Sequence, residues 1–271
     1  MLKSLVVCKQ RNLLIVTIYG ELGTHNLTFC DETYRWEPSQ KKMDHYSVIS
    51  RSKEWGNLHQ SVQYCIEKIP SGDVHILDIG CNTGSLVYNL TLRGFRHAYG
   101  IDTEEKKIEE GRSIYPDLIG KLDKYDGDTL PYENDSFDVV TMFDVLEHID
   151  EVHEFLVKEV RRVLKKGGLL IFQTPNKITN IPWEILIHRS FNFYKKYHVS
   201  LQTYKSLHRM LKKSGFAEIL IEKQNFLTKY YLQQLRSYIG ILAYPVLFLF
   251  NCVPPSCSPN FWGCCVNYKE I

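Results

Sequence analysis

The 271-residue sequence predicts an α/β fold, a doubly wound parallel sheet with helices on both faces. Three observations predict it. Beyond about residue 74, apolar strand-like runs alternate with helical stretches, and regular β-α alternation requires a parallel sheet covered on both sides. The first of those runs, Val74 to Leu77, enters Asp78-Ile79-Gly80-Cys81-Asn82-Thr83-Gly84 and then the helix-like stretch Ser85 to Leu92. A strand that ends in an acid and bends through two glycines into a helix forms a backbone nest for an adenosine-type cofactor. The second run, His97 to Asp102, again ends in an acid.

The residues before this alternation lie outside the core. Leu13 to Tyr19, rich in Leu, Ile, Val and Thr, reads as a strand paired with Leu5 to Cys8 across the polar turn Lys9 to Asn12. From Asp31 to Trp55 the chain is polar and aromatic, and Trp36, Tyr46 and Trp55 are candidates to close over a ligand or to pack. The chain therefore divides into an N-terminal extension over 1–56, a core over 57–225 with an insertion over 176–200, and a stretch over 226–271 that holds an apolar insertion and the final strand.

A helix from about Asn57 to Ile69 puts Leu58, Val62, Cys65 and Ile66 on one face and ends at Pro70-Ser71-Gly72. Strands are expected at about 74–79, 97–101, 119–125, 137–143 and 168–174, with helices at about 84–93, 104–114 and 151–165. Gly167-Gly168 reads as the stop of the last of these helices. Gln202 to Ser214 is the next helix, with Tyr204, Leu207, Met210 and Leu211 inward, and Gly215 closes it before the strand Ala217 to Glu222. Cys264 to Tyr268 is the expected last strand. Between Ser237 and Tyr268 there is no Asp, Glu, Lys, Arg or His. Ile239 to Phe250 is mostly apolar, but a spanning helix needs about 20 apolar residues and Pro245 splits this run. An interfacial helix carries a basic face, which this run lacks, so packing on the sheet is favoured over peripheral membrane contact through 239–250.

Composition sets limits. A hydrophobic share of 44% and a charged share of 24% are those of a soluble globular protein, and a net charge of +2 gives no strong nucleic-acid signal. Lys195-Lys196 and the basic residues of Lys205 to Lys213 read as solvated helix faces. The eight cysteines lack paired C-x-x-C spacing and are read as reduced thiols, which fits a cytoplasmic compartment. Lys9 to Asn12 interrupts the first apolar run too early for a secretion signal, so the sequons at Asn26 and Asn89 are taken as chance matches.

The glycine spacing narrows the cofactor. Dinucleotide folds use G-x-G-x-x-G because the second glycine lets a pyrophosphate approach the backbone. Asn82 stands at that second position, and no Gly-Lys-Ser/Thr phosphate loop follows. The D-x-G-x-x-x-G pattern resembles motif I of the class I S-adenosylmethionine (SAM)-dependent methyltransferases, a Rossmann-like fold whose seventh and last strand is antiparallel. The order of the next elements strengthens the resemblance: Asp102 after the second strand, Tyr125-Asp126-Gly127-Asp128 after the third, and Phe137 to Phe143 as the fourth. The resemblance implies SAM as cofactor, with Asp78, Gly80, Asn82, Gly84, Asp102, Asp128 and Phe143 as its binding residues. Asp102 would take the ribose hydroxyls and Asp128 the adenine amino group. Each acid is alternatively a helix cap or turn former.

For the chemistry, Asp144-Val145-Leu146-Glu147-His148 closes the fourth strand. This acid-x-x-Glu-His pattern resembles the divalent-metal motif of the ubiquinone-pathway O-methyltransferases and of the small-RNA 2′-O-methyltransferases, whose first acid is Glu. Two readings stay open. In one, Asp144, Glu147, His148 and His198 hold a divalent metal. In the other, His148 is a general base beside Glu147, since a near-neutral pKa suits it. Thr174-Pro175-Asn176 recurs in the branch that methylates quinone precursors, glycans and natural products. Asn176 is therefore a candidate for the acceptor side, with a turn role as the alternative. Trp183 and His198 are candidates because the aromatic and polar stretch 176–200 follows the fifth strand at the carboxyl end of the sheet, where ligands bind. The resemblance points to O-methylation of a small or lipid-linked acceptor. A metal-dependent RNA 2′-O-methyltransferase and a non-catalytic SAM-binding partner protein are the alternatives.

Overall fold

The computed structural model describes residues 2–10, 13–20, 23–30, 55–70, 72–190, 192–224, 232, 235–237 and 239–269. The chain separates into two compact units, Met1–Ser52 and Lys53–Ile271. In the first, β1 (Leu2–Gln10), β2 (Leu13–Gly20) and β3 (Gly23–Cys30) form an antiparallel sheet in that order. The β1–β2 pairing closes at Gln10 and Leu13, across the turn expected from sequence. The third strand is an addition to the expected pair. β2 opens with the continuous apolar run Leu13 to Val16, whereas Thr24 to Asn26 is polar, and the signal for β3 is the Gly20–Gly23 pair at its start. The ligand-closing role considered for Asp31 to Trp55 falls largely outside the described residues.

The second unit begins with α1 (Trp55–Lys68), which buries Val62, Tyr64, Cys65 and, just past its end, Ile69. Ile66, expected inward, is exposed. The buried stripe is rotated toward Tyr64, whose ring meets Trp262 edge-on at 5.5 Å. The order then runs β4 (His75–Ile79), α2 (Ser85–Leu92), β5 (His97–Asp102), α3 (Glu105–Ile114), β6 (Leu122–Lys124) and β7 (Phe137–Phe143). A long helix, α4, starts at Val152–Phe155, widens into a π-helical turn at Leu156–Val160 and ends with Arg161–Val163. After it come β8 (Leu164–Pro175), α5 (Lys177–His188), α6 (Phe193–Tyr197), α7 (Tyr204–Lys213), β9 (Phe216–Glu222), α8 (Ala243–Cys252) and β10 (Asn260–Asn267).

The seven strands are ordered β6-β5-β4-β7-β8-β10-β9. β4 pairs in parallel with both β5 and β7, while β10 runs antiparallel to β8 and to β9. The chain thus winds outward from β4 in one direction and from β7 in the other, and the crevice beyond their carboxyl ends is where such sheets bind ligands. Leu77, Ile79, Val140, Phe172, Leu207 and Leu211 belong to one buried core cluster. α7 enters it through Leu207 and Leu211 and is started by a capping box between Thr203 and Ser206.

Two expectations are corrected. The glycines at 167 and 168 do not stop α4. The helix ends at Val163, and the register jumps from Phe137↔Leu164 to Val139↔Leu169, so Lys165 to Gly168 form a bulge within β8, with Gly167 left-handed. β10 begins at Asn260, four residues earlier than expected, because Phe261 and Trp262 are buried partners in the ladder with β8. α8 buries only a narrow stripe, Ala243 and Leu247, and leaves Leu249 open, as are Ile241 (81% exposed) and Leu242 just before it. Lys223 donates to the carbonyls of Asn251 and Val253 at its end. Among the described residues no helix is long and apolar enough to cross a membrane.

Candidate functional site

The site begins at the bend after β4. Gly80 N and Cys81 N both donate to Ile101 O, at 2.8 and 3.0 Å, which ties the bend to the end of β5. Gly80, Asn82 and Gly84 all take left-handed backbone, with φ of 73, 51 and 75°. An alanine Cβ at Gly80 would lie 2.4 Å from Val145 Cγ2, so the bend and the loop after β7 approach each other only because that position lacks a side chain. Asn82 N donates to Asp102 Oδ2 at 2.7 Å and Glu104 N to Asp102 Oδ1 at 2.9 Å. Each carboxylate oxygen can accept a second hydrogen bond, a set that suits two neighbouring hydroxyls.

Gly80, Asn82, Asp102, Asp128 and His148 line one cavity of about 930 Å³. Tyr125, Thr103 and Gly127 line it too, and no sequence signal singled them out as ligand contacts. Asp126 accepts from the backbone of Asp128 and Thr129, both at 2.9 Å, and so fixes the loop that carries Asp128. Burial pushes the Tyr125 phenol up to about 12, so it stays a donor. Asp78, Gly84 and Phe143 are not among the lining residues. Asp78 is 4% exposed and accepts from Thr141 Oγ1 at 2.6 Å, across the β4–β7 pairing. Burial pushes its pKa up to about 7, with the Thr141 hydrogen bond acting against the rise and the charge of Asp102 adding to it. Gly84 caps α2 against Leu118 and Leu122, and Phe143 packs 5.7 Å from Trp262.

The other half of the site is the turn after β7. Asp144 is left-handed with φ 54°, and a single 3₁₀ turn, Leu146–His148, follows. Glu147 is 1% exposed and its Oε2 accepts from Thr174 Oγ1 at 2.9 Å. Burial, and then the charge of Asp144, push its pKa well above the ordinary carboxylate range. His148 Nδ1 lies 2.6 Å from the carbonyl of Tyr197. A carbonyl only accepts, so Nδ1 carries the proton and Nε2 is the basic nitrogen, 4.0 Å from Glu147 Oε1. The His148 and His198 rings are 5.2 Å apart. Glu147, His148 and His198 each offer one ligand atom, all within 4.8 Å of one another, and Asp144 is not part of that set. Its side chain is exposed, whereas that of Glu147 is buried.

The remaining candidates fall elsewhere. Asn176 is fully buried: Oδ1 caps α5 by accepting from Ile178 N, and Nδ2 donates to Ser256 O and Ser258 O. Those partners take up the amide and make Asn176 a brace between α5 and the loop before β10. Trp183 stands on α5, 47% exposed. Two contributors have no sequence signal: the Tyr197 carbonyl, and Glu184, which lies 3.9 Å from His198 Nδ1. A main-chain acceptor leaves no mark on a sequence, and Glu184 is separated from every motif.

The profile of a family described as methyltransferase domain matches residues 43–220, well over half of the chain. A ubiquinone biosynthesis O-methyltransferase of Rickettsia bellii is 33% identical over 147 residues, covering 51% of this chain and 60% of that protein. A demethylmenaquinone methyltransferase of Lactobacillus johnsonii is 28% identical over 183 residues, covering 58% and 73%. Among solved structures, phosphoethanolamine N-methyltransferase 2 of Haemonchus contortus in complex with SAM superposes with a TM-score of 0.58 at 14% identity, over 97% of this chain and 71% of that one. The sheet order, the glycine bend and the matching profile agree, and the chain belongs to the class I SAM-dependent methyltransferase family.

Proposed function

We propose that the protein transfers the methyl group of SAM to an oxygen of a small or lipid-linked acceptor, of the kind represented by quinone precursors, glycans and related natural products. The observation that carries this reading is that Gly80, Asp102 and Asp128 share one cavity with His148, so a cofactor seat and a proton acceptor face the same space. The residues fit SAM. The bend at Gly80 has no room for a Cβ, Asp102 keeps acceptor capacity on both oxygens for a diol, and the wall carries Glu104, Asp128, Asp144, Asp150 and Glu151 against Lys158. Lys158 is itself paired with Glu154. An acidic wall attracts a cationic sulfonium and disfavours a pyrophosphate or an RNA backbone.

When bound, SAM supplies an electrophilic methyl on a positively charged sulfur. The chain has to align the acceptor oxygen with it, exclude water and accept the hydroxyl proton. Nε2 of His148 is the acceptor of that proton, its tautomer set by the Tyr197 carbonyl. Glu147, held by Thr174, stands beside it. A divalent metal fits the same corner through Glu147, His148 and His198, a mixed carboxylate and imidazole set, and would lower the pKa of an acceptor hydroxyl there. The Rickettsia and Lactobacillus relatives, by their names, support a quinone-type acceptor. The open side chains of Ile241, Leu242, Tyr244 and Leu249 support contact with an apolar surface, as a lipid-linked acceptor would require.

Two measurements test this reading. Calorimetric titration is expected to show binding of S-adenosylhomocysteine and none of NAD; tight NAD binding without the thioether would overturn it. Incubation with methyl-labelled SAM and a panel of quinone precursors, sugars and RNA is then expected to label a hydroxylated small molecule and not RNA.

A further inference from the structure

We propose that Glu184 is a positioning residue of this site: its carboxylate holds the Nδ1 side of His198 as the Tyr197 carbonyl holds that of His148, leaving Nε2 as the basic nitrogen of both imidazoles. This rests on the methyl-transfer reading only for what the imidazoles serve.

The insertion that carries Glu184 and His198 is anchored at both ends. At its base, Lys177 N donates to Gln202 O at 2.9 Å and Asn176 N to Pro259 O at 2.8 Å. At its far side, Tyr197 O receives His148 Nδ1 and Ser200 N donates to Glu147 O at 3.0 Å. His198 lies between those two docking contacts, with its side chain 18% exposed. Its Nδ1 is buried without a hydrogen-bond partner among the described residues. Glu184 Oε1, on a side chain 15% exposed, stands 3.9 Å from that nitrogen. This is an ion-pair distance, about 1 Å longer than a hydrogen bond.

The chemistry of the pair selects one tautomer. A carboxylate is an acceptor only, so a lone pair on Nδ1 would face it unfavourably, whereas an N–H there would point at an acceptor. At 3.9 Å the selection is electrostatic rather than a hydrogen bond: in a site screened from water, an N–H dipole aimed at a carboxylate is favoured over a lone pair aimed at it. Burial and the neighbouring His148 lower the His198 pKa, with Glu184 and Asp144 acting against them, so the ring has a single proton to place. Outer carboxylates and carbonyls that fix the tautomer of an inner histidine are the usual support of imidazoles that act as ligands. The same support serves a base.

The test is long-range ¹H–¹⁵N correlation of the histidine side chains at about pH 8, above the ordinary histidine range, in the whole chain. Both His148 and His198 are expected as Nδ1–H tautomers. Glu184→Ala is expected to move His198 toward Nε2–H and leave His148 unchanged, while Glu184→Gln, which keeps an acceptor oxygen, is expected to preserve the parent pattern. An unchanged His148 signal shows that the insertion is still docked; if Glu184→Ala undocks it, Glu184→Gln decides. In turnover, Glu184→Ala should lower kcat about 10–100-fold and leave S-adenosylhomocysteine affinity at the parent value. A His198 tautomer that Glu184→Ala does not alter, or affinity falling in step with kcat, would overturn the assignment. If the parent protein bound no S-adenosylhomocysteine, the methyl-transfer reading would fail, and the tautomer measurement would still decide the role of Glu184.

Discussion

The two halves of the cavity are built by different means. On the side of β4 and β5 the shape comes from backbone: left-handed residues at 80, 82 and 84, and an Asp102 carboxylate bonded to main-chain N–H groups 20 and 2 residues away. On the side of β7 it depends on side chains anchored far along the sequence: His148, on the wall, meets the Tyr197 carbonyl over 49 residues, and behind it Glu147 accepts from Thr174 over 27. A seat made of backbone turns is fixed by local stereochemistry and suits a constant ligand. A wall made of long-range side-chain contacts can be rebuilt without disturbing the sheet, and it is where an acceptor would be chosen.

The largest effect is expected at His148. His148→Ala is expected to lower kcat by about 10²–10⁴, the usual worth of a positioned proton acceptor, with little change in affinity for S-adenosylhomocysteine. Stopped-flow or radiometric turnover beside calorimetry separates the two, and turnover at the parent level would remove the base. Asp102→Ala should do the reverse. Loss of charged hydrogen bonds worth about 1.5–3 kcal/mol each corresponds to affinity lower by at least about tenfold. Parent-like affinity in that variant would count against the ribose seat. Gly80→Ala probes the bend itself: a left-handed alanine pressing on Val145 is expected to lower stability by about 1–3 kcal/mol, read as a urea midpoint shift, before any ligand is added.

The same division explains how much the sequence could reveal. The strand–bend–helix unit is legible because the left-handed backbone at Gly80 and Gly84 is a local requirement, and Asp102 because it ends the next strand. Asp78, read from the same motif as a cofactor residue, is buried against Thr141 instead of lining the cavity. The reversed β10 is anticipated only through resemblance, since nothing in Asn260 to Asn267 itself specifies direction. Glu147, His148 and His198 all stand out in the sequence, yet the Tyr197 carbonyl that sets one imidazole and the carboxylate beside the other do not. Asn176 shows the limit from the opposite side. A motif position that suggested an acceptor contact is a buried brace, because its amide is taken up by the local cap on Ile178 N and by two carbonyls, Ser256 and Ser258, of one distant segment.

The smallest expected effect sharpens the boundary between the cavity and its support. An aspartate ordinarily titrates at 3.8, and Asp78 is pushed to about 7 in the fold, chiefly because burial disfavours its charge. The folded chain therefore holds a proton that the unfolded chain releases between those values. Stability from this group falls as pH rises from about 4 to about 7, and the cost is complete above that range. Asp78→Asn removes the titration and keeps an oxygen to accept from Thr141 Oγ1. The variant is expected to gain more stability over the parent at about pH 8 than at about pH 5, measured as urea midpoints at the two pH values. The opposite ordering would mean that the fold stabilises an ionised Asp78, and the residue would then belong with Asp102 on the electrostatic face of the cavity.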